Sequence, residues 1–214
     1  GSTMQARRLA LLLVAVPAWI ATVGPSGTAP ASEVKPPEIV GRTAWGAAPA
    51  NTSLMRRQTP RAIIIHHSDT AQSRKRTLET KLKNLQSFSM NPGTVSGTGR
   101  KKLAWGDVPY HYYIDVSGRI GEGRDTGYAG DTNTGYKTDG FVQIVVEGKF
   151  QTEKPDARQL AALDTLVVWL AGTYKVASKD ITGHNDHAPS DCPGRNLKPY
   201  LETLRKEVDA AAAK

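Results

Sequence analysis

His66 and His67 end a β-branched run, RAIIIHH, that extends from Arg61 to His67, and His184 stands eight residues before Cys192, the single cysteine, in the stretch GHNDHAPSDCPG. Imidazole and thiolate are both good zinc ligands, and three protein ligands with a fourth position open is the arrangement of a catalytic zinc rather than a structural one. Pro189 between His184 and Cys192, with Pro193-Gly194 just after, implies a loop that turns back and lets the two side chains converge. Successive residues of a strand point to opposite faces, so of His66 and His67 only one can look into a given pocket. Taken singly, each histidine reads as a structural residue. Taken together, His66, His184 and a lone cysteine in a Pro/Gly turn favour a metal.

The compartment bears on that cysteine. Arg7 and Arg8 precede an apolar stretch from Leu9 to Val23, and Ala29-Pro30-Ala31 follows before Ser32. Basic start, short apolar run and small-x-small site are the parts of an export signal. The run contains Pro17 and falls short of the roughly 20 residues that span a bilayer, so a retained anchor is the weaker reading. Gly1-Ser2-Thr3 ahead of Met4 reads as a cloning remnant. An exported protein with one cysteine has no internal disulfide, and its thiol needs protection. Cys192 is either simply buried, as free cysteines often are, or held as a metal-bound thiolate. The expected location is secreted or periplasmic.

A third group with chemical potential is Pro109-Tyr110-His111-Tyr112-Tyr113. Strand alternation sends Tyr110 and Tyr112 to one face, and His111 and Tyr113 to the other. By itself such a strand is more often packing than catalysis.

The elements that must position these residues follow from periodicity. Arg61 to His67 reads as a buried strand, Thr77 to Phe88 as a helix carrying Leu78, Leu82 and Leu85, and Pro92 to Lys102, rich in Gly, Ser, Thr and Lys, as a loop. Strands are expected at Tyr110 to Val116, Arg119 to Glu122 and Phe141 to Val146. Pro155 opens a helix to about Tyr174 with Leu160, Leu163, Leu166, Val167 and Leu170 on its apolar face, and Pro199 to Ala211 forms another. The pattern predicts a single α/β domain, a central mixed β-sheet flanked by helices, over residues 40–208, preceded by a leader (1–31) and a Pro-rich linker (32–39) and followed by a short tail (209–214).

Length and charge fit this frame. A chain of 214 residues with 39% hydrophobic residues can bury the core of one domain. Its net charge of +8 suits a polyanionic partner: nucleic acid, anionic lipid, or a cell wall with phosphate and carboxylate groups. The basic residues are scattered apart from Arg74 to Arg76 and Arg100 to Lys102, and export disfavours nucleic acid.

From Val40 to about Val208 the sequence resembles the peptidoglycan recognition protein and type 2 N-acetylmuramoyl-L-alanine amidase family. The matching landmarks occur in order: an Arg-x-x-Trp-Gly-Ala box at Arg42 to Ala47, His66-His67-Ser68, a Leu85-Gln86 helix, Trp105-Gly106-Asp107 leading into Tyr110-His111-Tyr112, and Gly183-His184 followed by Ser190-Asp191-Cys192-Pro193-Gly194. The resemblance implies a zinc site in a surface groove, with His66, His184 and Cys192 as ligands. Tyr110 is implied as the active-site tyrosine, and Ser190 stands where family members carry Thr or Lys able to reach the scissile carbonyl. Trp105 and His67 are expected to contact the substrate, peptidoglycan or muropeptides. The implied activity is hydrolysis of the amide joining N-acetylmuramic acid to L-alanine, and a monomer is the default expectation. Family members without the ligand cysteine bind peptidoglycan without cutting it. Two departures stand out: Val145 occupies the position where one branch has a catalytic Glu, with Glu147 nearby, and Ser89 stands where His is common.

Overall fold

The computed structural model describes residues 34–95 and 99–214. The expected leader and the first residues of the linker lie outside the described residues. The strands are β1 (Ile39–Val40), β2 (Ala62–His67), β3 (Gly93–Thr94), β4 (Lys101–Lys102), β5 (Tyr112–Ile114), β6 (Ile120–Glu122), β7 (Phe141–Val146) and β8 (Ile181–Gly183). The helices are α1 (Arg42–Trp45), α2 (Leu78–Met90), α3 (Ala157–Tyr174) and α4 (Leu201–Ala212).

β2 and β7 carry the longest Ile/Val runs of the sheet, and they pair in parallel over their whole length from Ala62↔Phe141 to His67↔Val146. Near-continuous Ile/Val runs are what a strand covered on both faces requires. The sheet order is β1-β6-β5-β7-β2-β8, with only the β5–β6 pair antiparallel, so the sheet is mixed. Alternation along β2 and β7 divides the interior in two. Ile63, Ile65, Val142, Ile144 and Val146 face α3 and α4, packing with Leu163, Leu166, Leu170, Leu201 and Leu204. Val145 and Tyr113 face α2 and pack with Trp45, Leu78 and Leu82.

The helices begin where side chains satisfy their first amides. Thr77 Oγ1 accepts from Thr80 N at 3.2 Å and starts α2, while Asp156 and Gln159 form a reciprocal capping box at the start of α3. Leu78, Leu82, Gln86 and Ser89 are the buried stripe of α2, at helical spacing.

Several boundaries differ from the sequence expectation. Pro92 to Lys102 is not wholly loop: β3 and β4 pair there as an antiparallel ribbon. The final helix starts at Leu201 after a 3-10 turn at Lys198–Tyr200, since Pro199 has no amide to continue a ladder, and it runs to Ala212. Ile39 belongs to β1. The aromatic strand narrows to Tyr112–Ile114, which breaks the expected alternation. Tyr110 precedes the strand and packs beside Tyr113 on the α2 side, whereas Tyr112 packs against Trp169 on the α3 side.

Candidate metal centre and groove

His66 is the penultimate residue of β2, and its parallel neighbour β8 ends at Gly183, directly before His184. The pairing Ile65↔Gly183 therefore sets the two imidazoles side by side at the carboxyl end of the sheet, their ring centroids 4.9 Å apart. Carboxyl ends of parallel strands are where open α/β sheets place ligands. The loop after His184 turns back as its prolines imply, and Asn185 N donates to Cys192 O at 2.9 Å to close it. Gly194 makes the return possible: its φ is +93°, and a Cβ there would lie 2.5 Å from the Phe150 carbonyl carbon.

His66, His184 and Cys192 are positioned to bind a metal, with one ligand atom from each lying within 4.8 Å of the others. Cys192 Sγ is 3.5 Å from His66 Nδ1. Tetrahedral zinc with bonds of about 2.1 Å to nitrogen and about 2.3 Å to sulfur separates such atoms by roughly 3.6 Å, so the donor pair fits the ion. The backbone N–H of His67 donates to Cys192 Sγ at 3.3 Å, a contact that favours thiolate. The outer nitrogen of His184, Nε2, lies 2.7 Å from Thr134 Oγ1. That contact fixes the ring and leaves Nδ1 for the metal, the usual outer support of a ligating histidine.

Burial sets the charge state of these groups in the absence of a cation. It pushes the Cys192 thiol up to about 12 and the Tyr110 phenol well above its ordinary value. Burial also lowers His66 well below the usual imidazole range, helped by the adjacent His184, and lowers His184 to about 4. A divalent cation reverses this logic by stabilising thiolate and neutral imidazole together.

A cavity of about 630 Å³ opens onto the centre and is lined by His66 and His184, by Tyr110 and Trp105, and by Phe88 and Ser89 from α2. The Tyr110 ring centroid lies 5.2 Å from that of His66. Lys75 and Arg76 add basic groups to the wall. Lys102, buried in the β3–β4 ribbon, donates to Ser89 O, Asn91 O and Leu103 O and lies over the Phe88 and Trp105 rings, tying the ribbon to this wall. Glu147 lines the cavity on the same face as Val145, a placement that strand parity alone left undecided. Its carboxylate is already committed, to Lys81 Nζ at 2.7 Å and to the amides of Val116 and Ser73.

Two expected site residues stand apart from the cavity wall. His67 points to the opposite face of β2, buried near the Phe150 ring, with Nδ1 accepting from Phe150 N at 3.3 Å. Ser190 is half-buried in the ligand loop, where its Oγ accepts from Cys192 N at 3.1 Å. The sequence reading missed Thr134, Tyr136 and Gln143. Tyr136 packs its ring 5.2 Å from that of His184 and donates its hydroxyl to Gln143 Oε1. No local pattern marks them, because their importance comes only from contacts across the fold.

The profile of the family described as N-acetylmuramoyl-L-alanine amidase matches residues 56–195. Peptidoglycan-recognition protein SD of Drosophila melanogaster is 30% identical over 167 residues, covering 77% of this chain and 84% of that protein. The endolysin of Klebsiella phage KP32 is 28% identical over 157 residues, covering 72% of this chain and 93% of its own length. Among solved structures, Drosophila peptidoglycan recognition protein SD superposes with a TM-score of 0.63 at 26% identity, covering 78% of this chain and 94% of that one. The Clostridium intestinale endolysin LysCS gives 0.60 at 23% identity, covering 82% and 98%, a likeness of fold. No helix among the described residues is long and apolar enough to cross a membrane.

Proposed function

Since the chain belongs to the peptidoglycan recognition protein and type 2 N-acetylmuramoyl-L-alanine amidase family, we propose that it hydrolyses the amide between N-acetylmuramic acid and L-alanine in peptidoglycan, using zinc held by His66, His184 and Cys192. The observation that carries this reading is the convergence of the three donors beside a cavity whose wall carries both imidazoles and Tyr110. By resemblance, loss of the ligand cysteine marks members that bind peptidoglycan without cutting it, and Cys192 is present here with both histidines.

Zinc bound there supplies Lewis-acid polarisation of the scissile carbonyl and a water acidic enough to act near neutral pH. The residues of the chain do the rest. Tyr110 keeps its proton, because burial raises its phenol, and donates it as a hydrogen bond to the oxygen that gains charge. Such a donor commonly contributes about 3 kcal/mol to lowering the barrier. Ser190, which stands off the cavity wall, braces the ligand loop by accepting the Cys192 amide, in place of the carbonyl contact expected from resemblance. Trp105 and Phe88 offer apolar wall to the substrate, while Lys75 and Arg76 suit the carboxylates of a stem peptide. We assign His67 to the support of Cys192 through its backbone N–H, in place of the substrate contact expected from resemblance. The export signal expected from Arg7-Arg8 and the apolar run supports this reading, since cell wall lies outside the cytoplasm.

The test compares stem-peptide release from purified peptidoglycan by the protein, by Cys192→Ala and by Tyr110→Phe. Release should disappear with Cys192→Ala and fall about 100-fold with Tyr110→Phe. Retention of peptidoglycan with no release by the unaltered protein would make it a recognition module and sink the amidase reading.

A further inference from the structure

The two ligand histidines are supported unequally. His184 Nε2 has Thr134 Oγ1 at 2.7 Å, whereas His66 Nε2 is buried with no hydrogen-bond partner. The Gln143 side chain, fully buried and on the same face of the sheet, also ends in an unpartnered nitrogen, Nε2. Gln143 pairs with Ile64 and His66 with Val145, so the Gln143 and His66 side chains are diagonal neighbours on that face, a spacing that long side chains can bridge. Its oxygen accepts from the Tyr136 hydroxyl at 3.1 Å. Two buried polar nitrogens without partners are costly, and with the His66 proton on Nε2 one motion relieves both. A half-turn of the Gln143 amide exchanges its oxygen and nitrogen. Oε1 then accepts from His66 Nε2–H, and Gln143 Nε2 donates to the Tyr136 oxygen.

We infer that Gln143 is the positioning residue of His66: its amide oxygen holds the Nε2–H tautomer, so that Nδ1, the nitrogen 3.5 Å from Cys192 Sγ, is presented to the metal. The fold makes room for this device at one point. Gly130 passes so close that a Cβ there would lie 2.0 Å from Gln143 Nε2. Tyr136 serves both histidines, anchoring Gln143 through its hydroxyl and packing its ring against His184. Outer partners of this kind typically change metal affinity by ~10–100-fold when removed.

The inference rests on the metal reading of the three donors and is independent of which bond is cut. Its test is zinc affinity by chelator competition, measured with folding stability of the zinc-free form, for the unaltered protein, Gln143→Met and Gln143→Glu. Gln143→Met should bind zinc ~10–100-fold more weakly. Gln143→Glu keeps an acceptor facing His66 and should hold zinc at least as tightly as the unaltered protein. A zinc affinity that simply follows zinc-free stability across the three proteins would overturn the role. Should Gln143→Met not fold, nitrogen-15 NMR of the zinc-loaded unaltered protein decides. A His66 proton on Nε2, protected from exchange, supports the inference, and a proton on Nδ1 contradicts it. Failure of the unaltered protein to bind zinc at all is a different result, and it removes the proposed function itself.

Discussion

The two faces of the central sheet are built from the same strands and hold opposite chemistry. Toward α3 and α4, β2 and β7 present Ile63, Ile65, Val142, Ile144 and Val146 to a core of aliphatic side chains. Toward α2, alternate residues along those strands include His66 and Gln143, with Glu147 just past the end of β7, all buried and polar. The first face gains from water exclusion and needs only shape and volume. The second carries polar groups that are stable when partnered, and partners such as Tyr136 and Cys192 come from loops outside these strands. Stability and chemistry are thus separable by strand parity, and substitutions on the two faces should fail in different ways.

The sharpest break of this comparison is Leu166→Ala, at a fully buried position of the apolar face. It should destabilise the protein by about 2–5 kcal/mol in denaturant unfolding. The zinc affinity of its folded form should stay unchanged, whereas Cys192→Ala should abolish metal binding at a smaller cost in zinc-free stability. Equal loss of zinc in both would erase the distinction between the faces.

A second effect comes from acid. His111 is fully buried, with Nε2 against Tyr128 O at 2.8 Å and Nδ1 accepting from Gln143 N at 2.8 Å. Burial, more than any other cause, lowers its pKa from 6.5 to about 4. The unfolded chain therefore binds the proton first, and the stability associated with neutral His111 is complete above about pH 6.5. It falls away as pH drops toward 4, by about 3 kcal/mol in all. Stability of the zinc-free protein measured between pH 7 and 4 should decline with a slope that His111→Gln reduces. An identical slope in that variant would remove His111 from the account.

The smallest change concerns the surface. Glu79 and Arg119 form an exposed pair at 2.6 Å, and the Arg119 hydrogen bond holds the Glu79 carboxyl down at about 2. An exposed pair contributes about 0.2–1 kcal/mol, present above roughly pH 4.5 and lost as pH falls toward 2. Glu79→Gln should alter stability within that range and leave zinc binding untouched; a larger loss would show that the pair does more than decorate α2.

How much of this was legible in the sequence depended on whether local chemistry decided the structure. β2, β7 and α3 were readable because continuous Ile/Val runs and a capped apolar stripe carry their own signal. β8 was not, since Ile181-Thr182-Gly183 becomes strand only by pairing with β2, and the same holds for the two residues of β1. His66, His184 and Cys192 stood out by residue type and by the turn chemistry between the last two. Tyr110 stood out by its motif, but its face was misread, because alternation begins only at Tyr112. Gln143 looked like one polar residue in an apolar strand, and its meaning depends on His66 across the ladder and Tyr136 above it.

The measurement that bears most directly on the polar face is mass analysis of what the protein releases from purified peptidoglycan, before and after chelation and again after zinc is restored. The account predicts intact stem peptides with a free alanine amino terminus, lost on chelation and recovered with zinc. Release that survives complete removal of zinc, or products cut at another bond, would contradict it.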